Sequence, residues 1–71
     1  MRLHYHPETD SLYIKLRDAP AAEMWDVAKG VNADLDAGGN VVGLDTDGAS
    51  KKLDLGTLET VALPFGSSWA A

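Results

Sequence analysis

Two stretches of the chain alternate apolar and polar residues on either side of a turn signal. The first runs from Arg2 to Arg17 and turns at residues 7–10, where Pro fixes φ and Asp can bond its own backbone. Its apolar members, which would share one face of a sheet, are Leu3, Tyr5, Leu12, Ile14 and Leu16. This alternation predicts a β-hairpin that pairs Tyr5 with Leu12 and Leu3 with Ile14.

The second stretch, from Val31 to Thr46, contains the pair Gly38 and Gly39, and glycine adopts the positive φ of a tight turn at little cost. With that pair at the turn centre, the predicted partners are Leu35 with Val42, Ala33 with Leu44, and Val31 with Thr46. The polar residues that this register turns to the other face are Asn32, Asp34, Asp36 and Asp45. A rival register, with a type I turn and Gly39 in a bulge, pairs Leu35 with Val41. We favour the first register, because the rival brings Val42 opposite Asp34.

Between the two hairpins, residues 18–22 are predicted to form a loop, because Pro20 lacks an N–H group and disfavours helix at the residue before it. A third strand is predicted from Glu23 to Asp36, with a bulge or bend near Gly30 where the alternation changes phase. A fourth strand is predicted from Val41 to Asp47.

Two alternatives stay open for the last third of the chain. Asp54 would cap a short helix running to Ala62, or Thr57 to Leu63 would form an additional strand that ends at Pro64. The predicted fold is α+β or mainly β, a four-stranded antiparallel sheet of two β-hairpins with a short C-terminal helix or extra strand. We expect residues 1–71 to form one small domain in which residues 65–71 are a loose tail.

Size and charge narrow the range of partners. A chain of 71 residues buries only about 60% of the surface that it exposes when unfolded, and it has no cysteine for a disulfide or a zinc thiolate site. A homodimer or a partner protein would supply the missing stability. The net charge of −5 argues against direct binding of nucleic acid and favours a small basic protein as partner.

The apolar runs are too short to cross a membrane, and the first ten residues lack the apolar region of a signal peptide. We therefore expect a soluble cytoplasmic protein that does not bind membranes.

The candidate chemistry is limited to one pair of histidines. On a strand His4 and His6 share a face with Tyr13 opposite His4, an arrangement that suggests either a metal or acid–base site or two solvated side chains on an edge strand. Residues 34–45 resemble a calcium loop, but strand alternation replaces its flanking helices. The serines lack a base and an orienting group at a spacing that would place them alongside. We expect no catalytic residue, metal or cofactor.

An interface is the stronger hypothesis for the same face. Trp and Tyr concentrate binding energy at protein interfaces. We hypothesise that one face of the first hairpin, with Trp25 nearby, forms the dimer or partner surface. Its candidate residues are His4, His6, Tyr13, Lys15 and Trp25.

Several short motifs also come in a characteristic order. They are Tyr5, Asp10 followed by LYIKL at residues 12–16, GVNADLD at residues 30–36, VVGLD at residues 41–45 and ASKKL at residues 49–53. From Arg2 to Leu53 the chain resembles the small bacterial domain-of-unknown-function family numbered twenty-two eighty-three. The resemblance implies a small antiparallel sheet with a short C-terminal helix and brings no established catalytic residues.

Some relatives in that family are described as candidate antitoxins beside a small ribonuclease-like toxin. The leading hypothesis is therefore a non-enzymatic protein-binding module, an antitoxin-like inhibitor of a basic toxin protein. The alternatives are a small metal- or ligand-binding enzyme or sensor that uses His4 and His6, and a structural homodimer with no other partner.

Overall fold

The structure, a computed structural model, describes residues 1–64. Its elements are β1 (Arg2–His6), β2 (Ser11–Lys15), β3 (Glu23–Ala28), β4 (Val31–Leu35), β5 (Val41–Asp47) and α1 (Ala49–Lys52). The five strands form one antiparallel sheet in the order β1-β2-β5-β4-β3. β5, the last strand within residues 1–64, is therefore the central one. The tail expected at residues 65–71 lies outside the described residues.

The first hairpin has the predicted register. β1 pairs with β2 so that Tyr5 lies opposite Leu12 and Leu3 opposite Ile14. Residues 7–10 form the turn, and Asp10 adopts a φ of 53°, a region that Asp tolerates better than most residues. The alternation of apolar residues was sufficient to place this hairpin.

The prediction of four strands is wrong, because the chain reverses direction inside the predicted third strand. Ala28 pairs with Val31, and Gly30 between them has a φ of 74°. The change of phase in the sequence thus marks a hairpin turn at Lys29 and Gly30, which glycine permits because it has no Cβ. Residues 23–35 form two antiparallel strands instead of one bent strand.

The second hairpin has the favoured register in the part far from its turn. Next to the turn it has the rival register. Ala33 pairs with Leu44 as predicted, but the register then shifts and Leu35 pairs with Val41. The prediction that Leu35 pairs with Val42 is wrong. At the shift, β5 has one more residue than the opposing stretch of β4. Leu35 and Val42 are nevertheless both buried, at 5% and 2% exposure.

The Asp36 side chain is the physical reason for that shift. Its Oδ1 accepts hydrogen bonds from the backbone N–H groups of Gly38 and Asn40, both at 2.9 Å. The Gly39 N–H donates to the Asp36 carbonyl at 3.0 Å, and Gly39 has a φ of 82°. The Asp36 carboxylate thus closes a turn over residues 36–39, which the glycine pair alone does not indicate.

A short helix late in the chain is confirmed, but it lies earlier than expected. α1 directly follows β5, and residues 53–64 form neither a helix nor a strand. Both predictions for the segment after Asp54 are therefore wrong. Leu58 and Val61 are 77% and 76% exposed, so no buried apolar face stabilises a helix that Gly56 already weakens.

α1 connects the two hairpin turns at one end of the sheet. The Ala49 N–H donates to the Asp10 carbonyl at 2.8 Å, and Lys52 Nζ donates to the Lys29 carbonyl at 3.1 Å. A single helical turn therefore contacts the turn between β1 and β2 and the turn between β3 and β4. No helix within residues 1–64 has the length and apolar character needed to span a membrane.

The core is small and lies on one face of the sheet. Cross-strand pairs share a face, so an apolar row runs across all five strands through Leu3, Ile14, Leu44, Ala33 and Trp25. We call this side the apolar face. The buried apolar residues among residues 1–64 are Leu12, Ala33, Leu35, Val42 and Ala49. Two of these five are alanines, so the described residues bury few large side chains.

Candidate functional site

The polar face, opposite the apolar one, carries most of the side chains that were proposed as an interface. A row across the sheet runs through His4, Tyr13, Asp45, Asn32 and Asp26. A second row runs through Arg2, Lys15, Gly43, Asp34 and Met24. These two rows bring Tyr13 and Lys15 beside the two histidines of β1, as the sequence predicted. Their role in binding stays a prediction.

Trp25 is not part of that group. It pairs with Ala33, which places it on the apolar face, and β3 lies at the opposite edge of the sheet from β1. The hypothesis that placed Trp25 near the histidines is wrong in its geometry. Alternation along β3 assigns Trp25 to its face, but the position of β3 in the sheet depends on the turn at Lys29 and Gly30, where a bend was predicted.

The two histidines of β1 stack on one another. The ring centroids of His4 and His6 lie 4.2 Å apart with an angle of 9° between the ring planes. His6 Nδ1 lies 3.6 Å from Glu8 Oε1, and both side chains are exposed to solvent. No group of three or more His, Cys, Asp or Glu side chains within residues 1–64 is arranged to hold a metal ion.

Tyr13 makes the main side-chain hydrogen bond of the polar face. Its hydroxyl donates to Asp34 Oδ2 at 2.8 Å, crossing β5 above Gly43. A Cβ at Gly43 would overlap with that hydroxyl oxygen and would lie 2.7 Å from the ring carbon that bears it. The hydrogen bond to Asp34 is the main cause that raises the pKa of Tyr13, and burial adds to it. Gly43 is therefore required for Tyr13 to reach Asp34.

Charge is divided unevenly over the polar face. The part formed by β1 and β2 carries Arg2 and Lys15 beside the histidines. The part formed by the other three strands carries four carboxylates, from Asp26, Asp34, Asp45 and Asp47. Lys15 also forms an ion pair with Asp18, with Nζ 3.2 Å from Oδ1. The polar face thus has a basic end at β1 and an acidic end at β3.

A second hydrogen-bond cluster joins the first turn to α1. The Tyr5 hydroxyl donates to Asp10 Oδ1 at 2.7 Å, and the Ser50 hydroxyl donates to Asp10 Oδ2 at 2.7 Å. The Ser50 backbone N–H also donates to Oδ1, at 3.1 Å. These hydrogen bonds lower the pKa of Asp10, and the bond from Tyr5 has the largest effect. The bond between Tyr5 and Asp10 also raises the pKa of Tyr5.

Asp10 thus supplies the carboxylate that α1 lacks at its own N-terminus. The residue before α1 is Gly48, which has no side chain to cap the helix. A side-chain oxygen that accepts from the first backbone N–H groups stabilises a helix start. The hydrogen bonds from the Ser50 backbone N–H and hydroxyl to Asp10 thus hold the start of α1 against the first turn.

The edge strand β3 presents the most exposed apolar side chains of the sheet. Met24, Trp25 and Val27 are 64%, 59% and 61% exposed, and every residue of β3 is open to solvent. Glu23 and Asp26 are its charged residues. Trp and Met are enriched at protein interfaces, and exposed apolar side chains in one place often mark such a contact surface.

A family model described as a protein of unknown function, DUF2283, matches residues 2–50. That range covers more than half of the chain. The chain belongs to the DUF2283 family. No curated protein and no solved structure matches it.

The DUF2283 segment covers the whole sheet of the described residues and the first half of α1. It contains all five strands and ends at Ser50, the residue of α1 that donates to Asp10. Sequence reasoning recognised the family but missed the two hydrogen-bond clusters. Gly43 inside a strand was an available signal, because such a glycine often marks a close approach of another group. The contact between Asp10 and Ser50 joins residues 40 positions apart, and no local pattern indicates it.

Proposed function

We propose that this DUF2283 domain is a non-enzymatic protein-binding module that inhibits a small basic protein, in the manner of an antitoxin. The exposed apolar side chains of β3 beside an acidic surface carry the proposal. Binding would bury Trp25 and its neighbours, and apolar burial is worth roughly 25 cal/mol for each Å² removed from water. The net charge of −5 favours a partner of opposite charge.

The small core supports an obligate partner. The five buried apolar residues among residues 1–64 include two alanines, and small domains rely on oligomerisation or another constraint when their core is insufficient. A bound protein would stabilise the folded sheet by mass action, because only the folded sheet presents the surface.

Co-expression with the product of the neighbouring gene tests the proposal. We expect a stable complex to co-purify and the growth arrest caused by that product to be relieved. A Trp25→Ala variant should weaken the complex, while Leu58→Ala, a truncation of a similarly exposed apolar side chain outside the sheet, should not. Failure to form a complex together with unrelieved growth arrest would contradict the proposal.

A structural homodimer is the second candidate, because a second copy could also cover the apolar face. Light scattering over a dilution series separates the two proposals. A monomer that persists at all concentrations excludes the homodimer, and a dimer that stays intact without any basic protein favours it. The charge of −5 on each copy weighs against self-association at low salt.

A further inference from the structure

Within residues 1–64 no strand pairs with the outer edge of β3, which is open to another strand. β3 is the terminal strand of the sheet and pairs only with β4 among residues 1–64. Alternate backbone N–H and C=O groups on its outer side therefore lack a partner in the sheet. Such an edge is a template for pairing with an extended segment.

The devices that usually block an edge are weaker on β3 than on β1. β1 carries Arg2 and is followed directly by Pro7, and charge and proline both discourage pairing at an edge. β3 contains no lysine, arginine or proline, and its charged residues, Glu23 and Asp26, are carboxylates that repel an acidic strand but attract a basic one. Its one irregularity, between Asp26 and Ala28, leaves Glu23 to Asp26 in regular pairing.

The two faces of β3 define the chemistry of the segment that fits. Trp25 lies on the apolar face, and Met24 and Asp26 lie on the polar face beside Asp34 and Asn32. Side chains of an added strand alternate between the same two faces. A segment that pairs with β3 would therefore place an apolar side chain next to Trp25 and a basic side chain next to Asp26.

We propose that β3 accepts an extended segment of a basic protein as a sixth strand, with apolar and Lys or Arg side chains alternating along that segment. This inference rests on the proposed function and names the surface and the pattern that the partner presents. Backbone hydrogen bonds to β3 supply part of the affinity, and the contacts of Trp25 and Asp26 supply the specificity.

A second copy of β3 fits the same edge less well. Antiparallel self-pairing about Trp25 keeps the apolar faces together, but it places Asp26 diagonally next to Asp26 of the other copy. Like charges at neighbouring cross-strand positions are destabilising. Opposite charge on the added strand removes that repulsion.

The test uses a synthetic octapeptide of alternating valine and lysine, titrated into the full chain and followed by amide chemical shifts. We expect saturable shifts concentrated in Glu23–Ala28 and the neighbouring β4. Asp26→Lys should weaken binding at least tenfold. Glu8→Lys makes the same change of charge in the turn at the opposite edge, on a side chain that is 71% exposed, and should change affinity less than threefold.

Two control peptides separate strand pairing from general charge attraction. The same peptide with alternate backbone nitrogens methylated keeps its charge but cannot donate those hydrogen bonds, and it should lose most of its affinity. A peptide of alternating valine and glutamate should not bind. Equal binding of the methylated peptide, or equal weakening by Asp26→Lys and Glu8→Lys, would overturn the inference.

The outcomes distinguish this inference from the proposed function. If Asp26→Lys leaves the complex with a co-expressed basic protein unchanged, β3 is not the binding surface. The proposed binding function would still hold. If the peptide binds saturably at β3 but no complex forms in co-expression, the β3 edge is a strand-binding site. The proposed function as an inhibitor of a basic protein would then be contradicted. If the amide shifts of β3 change when the peptide-free chain is diluted, a second copy of the chain occupies the edge. That result would contradict the proposal that a basic segment binds there.

Discussion

Replacing Gly43 by alanine should have opposite effects on stability, depending on whether Tyr13 is present. The added Cβ would overlap with the Tyr13 hydroxyl oxygen and would lie 2.7 Å from the ring carbon that bears it, which is shorter than any tolerated contact. The ring must therefore leave Asp34. With Tyr13→Ala the obstruction is absent, and alanine is then the better strand residue because glycine loses more backbone entropy on folding.

The expected change in the free energy of unfolding for Gly43→Ala has three contributions. A hydrogen bond to a charged group contributes about 1.5–3 kcal/mol, and the partial exposure of the pair places it near the lower value. Returning roughly 40 Å² of the Tyr13 ring to water costs about 1 kcal/mol. The gain from alanine over glycine is about 0.5–1 kcal/mol. Gly43→Ala should thus lower the free energy of unfolding by about 1.5–2 kcal/mol.

In the Tyr13→Ala background the same substitution should raise the free energy of unfolding by about 0.5–1 kcal/mol. The coupling between the two positions is then about 2–3 kcal/mol, at the upper end of the range for residues in contact. Urea unfolding followed by circular dichroism measures all four corners of the cycle. For a domain of this size, Gly43→Ala alone should lower Tm by roughly 6–16 °C.

Gly56→Ala is the matched control, because a Cβ at Gly56 meets nothing within 4 Å and no positive φ is involved. It should leave stability nearly unchanged in either background. An equal cost of Gly43→Ala with and without Tyr13 would refute the reasoning, since the obstruction would then lie in the backbone.

Two further perturbations concern the contacts of α1. The lowered pKa of Asp10 means that its ionised form stabilises the folded state above the ordinary value of 3.8, and this contribution is lost as pH falls through the lower folded pKa. Asp10→Asn should therefore reduce the acid-induced fall in the urea midpoint, and Glu59→Gln, which removes an exposed charge, should reduce it less. Gly30→Ala should destabilise by about 1–2 kcal/mol from its φ of 74°, and most of that cost should persist with Lys52→Ala, although the added Cβ also lies near Lys52 Nζ. Loss of the whole cost on truncating Lys52 would contradict the backbone explanation.

Local periodicity was enough to predict part of the fold. Alternation along residues 2–17 defined the register of β1 and β2, because each apolar residue there has one consistent face. The same rule failed near Gly30. Trp25 and Val27 on one side of the turn and Val31 and Ala33 on the other can face the core either as one bent strand or as a hairpin. Periodicity alone does not separate these arrangements, and the turn residues Lys29 and Gly30 are not among the strongest hairpin signals.

The features that the sequence did not reveal depend on side chains that bond distant or unusual partners. The carboxylate of Asp36 accepts hydrogen bonds from two backbone N–H groups, and the register shifts by one residue beside it. A register derived only from the position of the glycine pair does not include this shift. The contacts of Asp10 with Ser50 and of Tyr13 with Asp34 form only once the sheet is assembled. Trp25 was predicted as an interface residue, but the rest of the β3 surface was not, because the position of β3 at an edge depends on the strand order.

The strand order has a consequence for how the chain reaches its native state during synthesis. Because β5 lies between β2 and β4, the two earlier hairpins cannot join until residues 41–47 have left the ribosome. Isolated two-stranded hairpins are marginally stable in water, so nascent chains that stop short of β5 would expose both hairpins to proteases. Arrival of the final strand would convert two unstable ribbons into one cooperative unit.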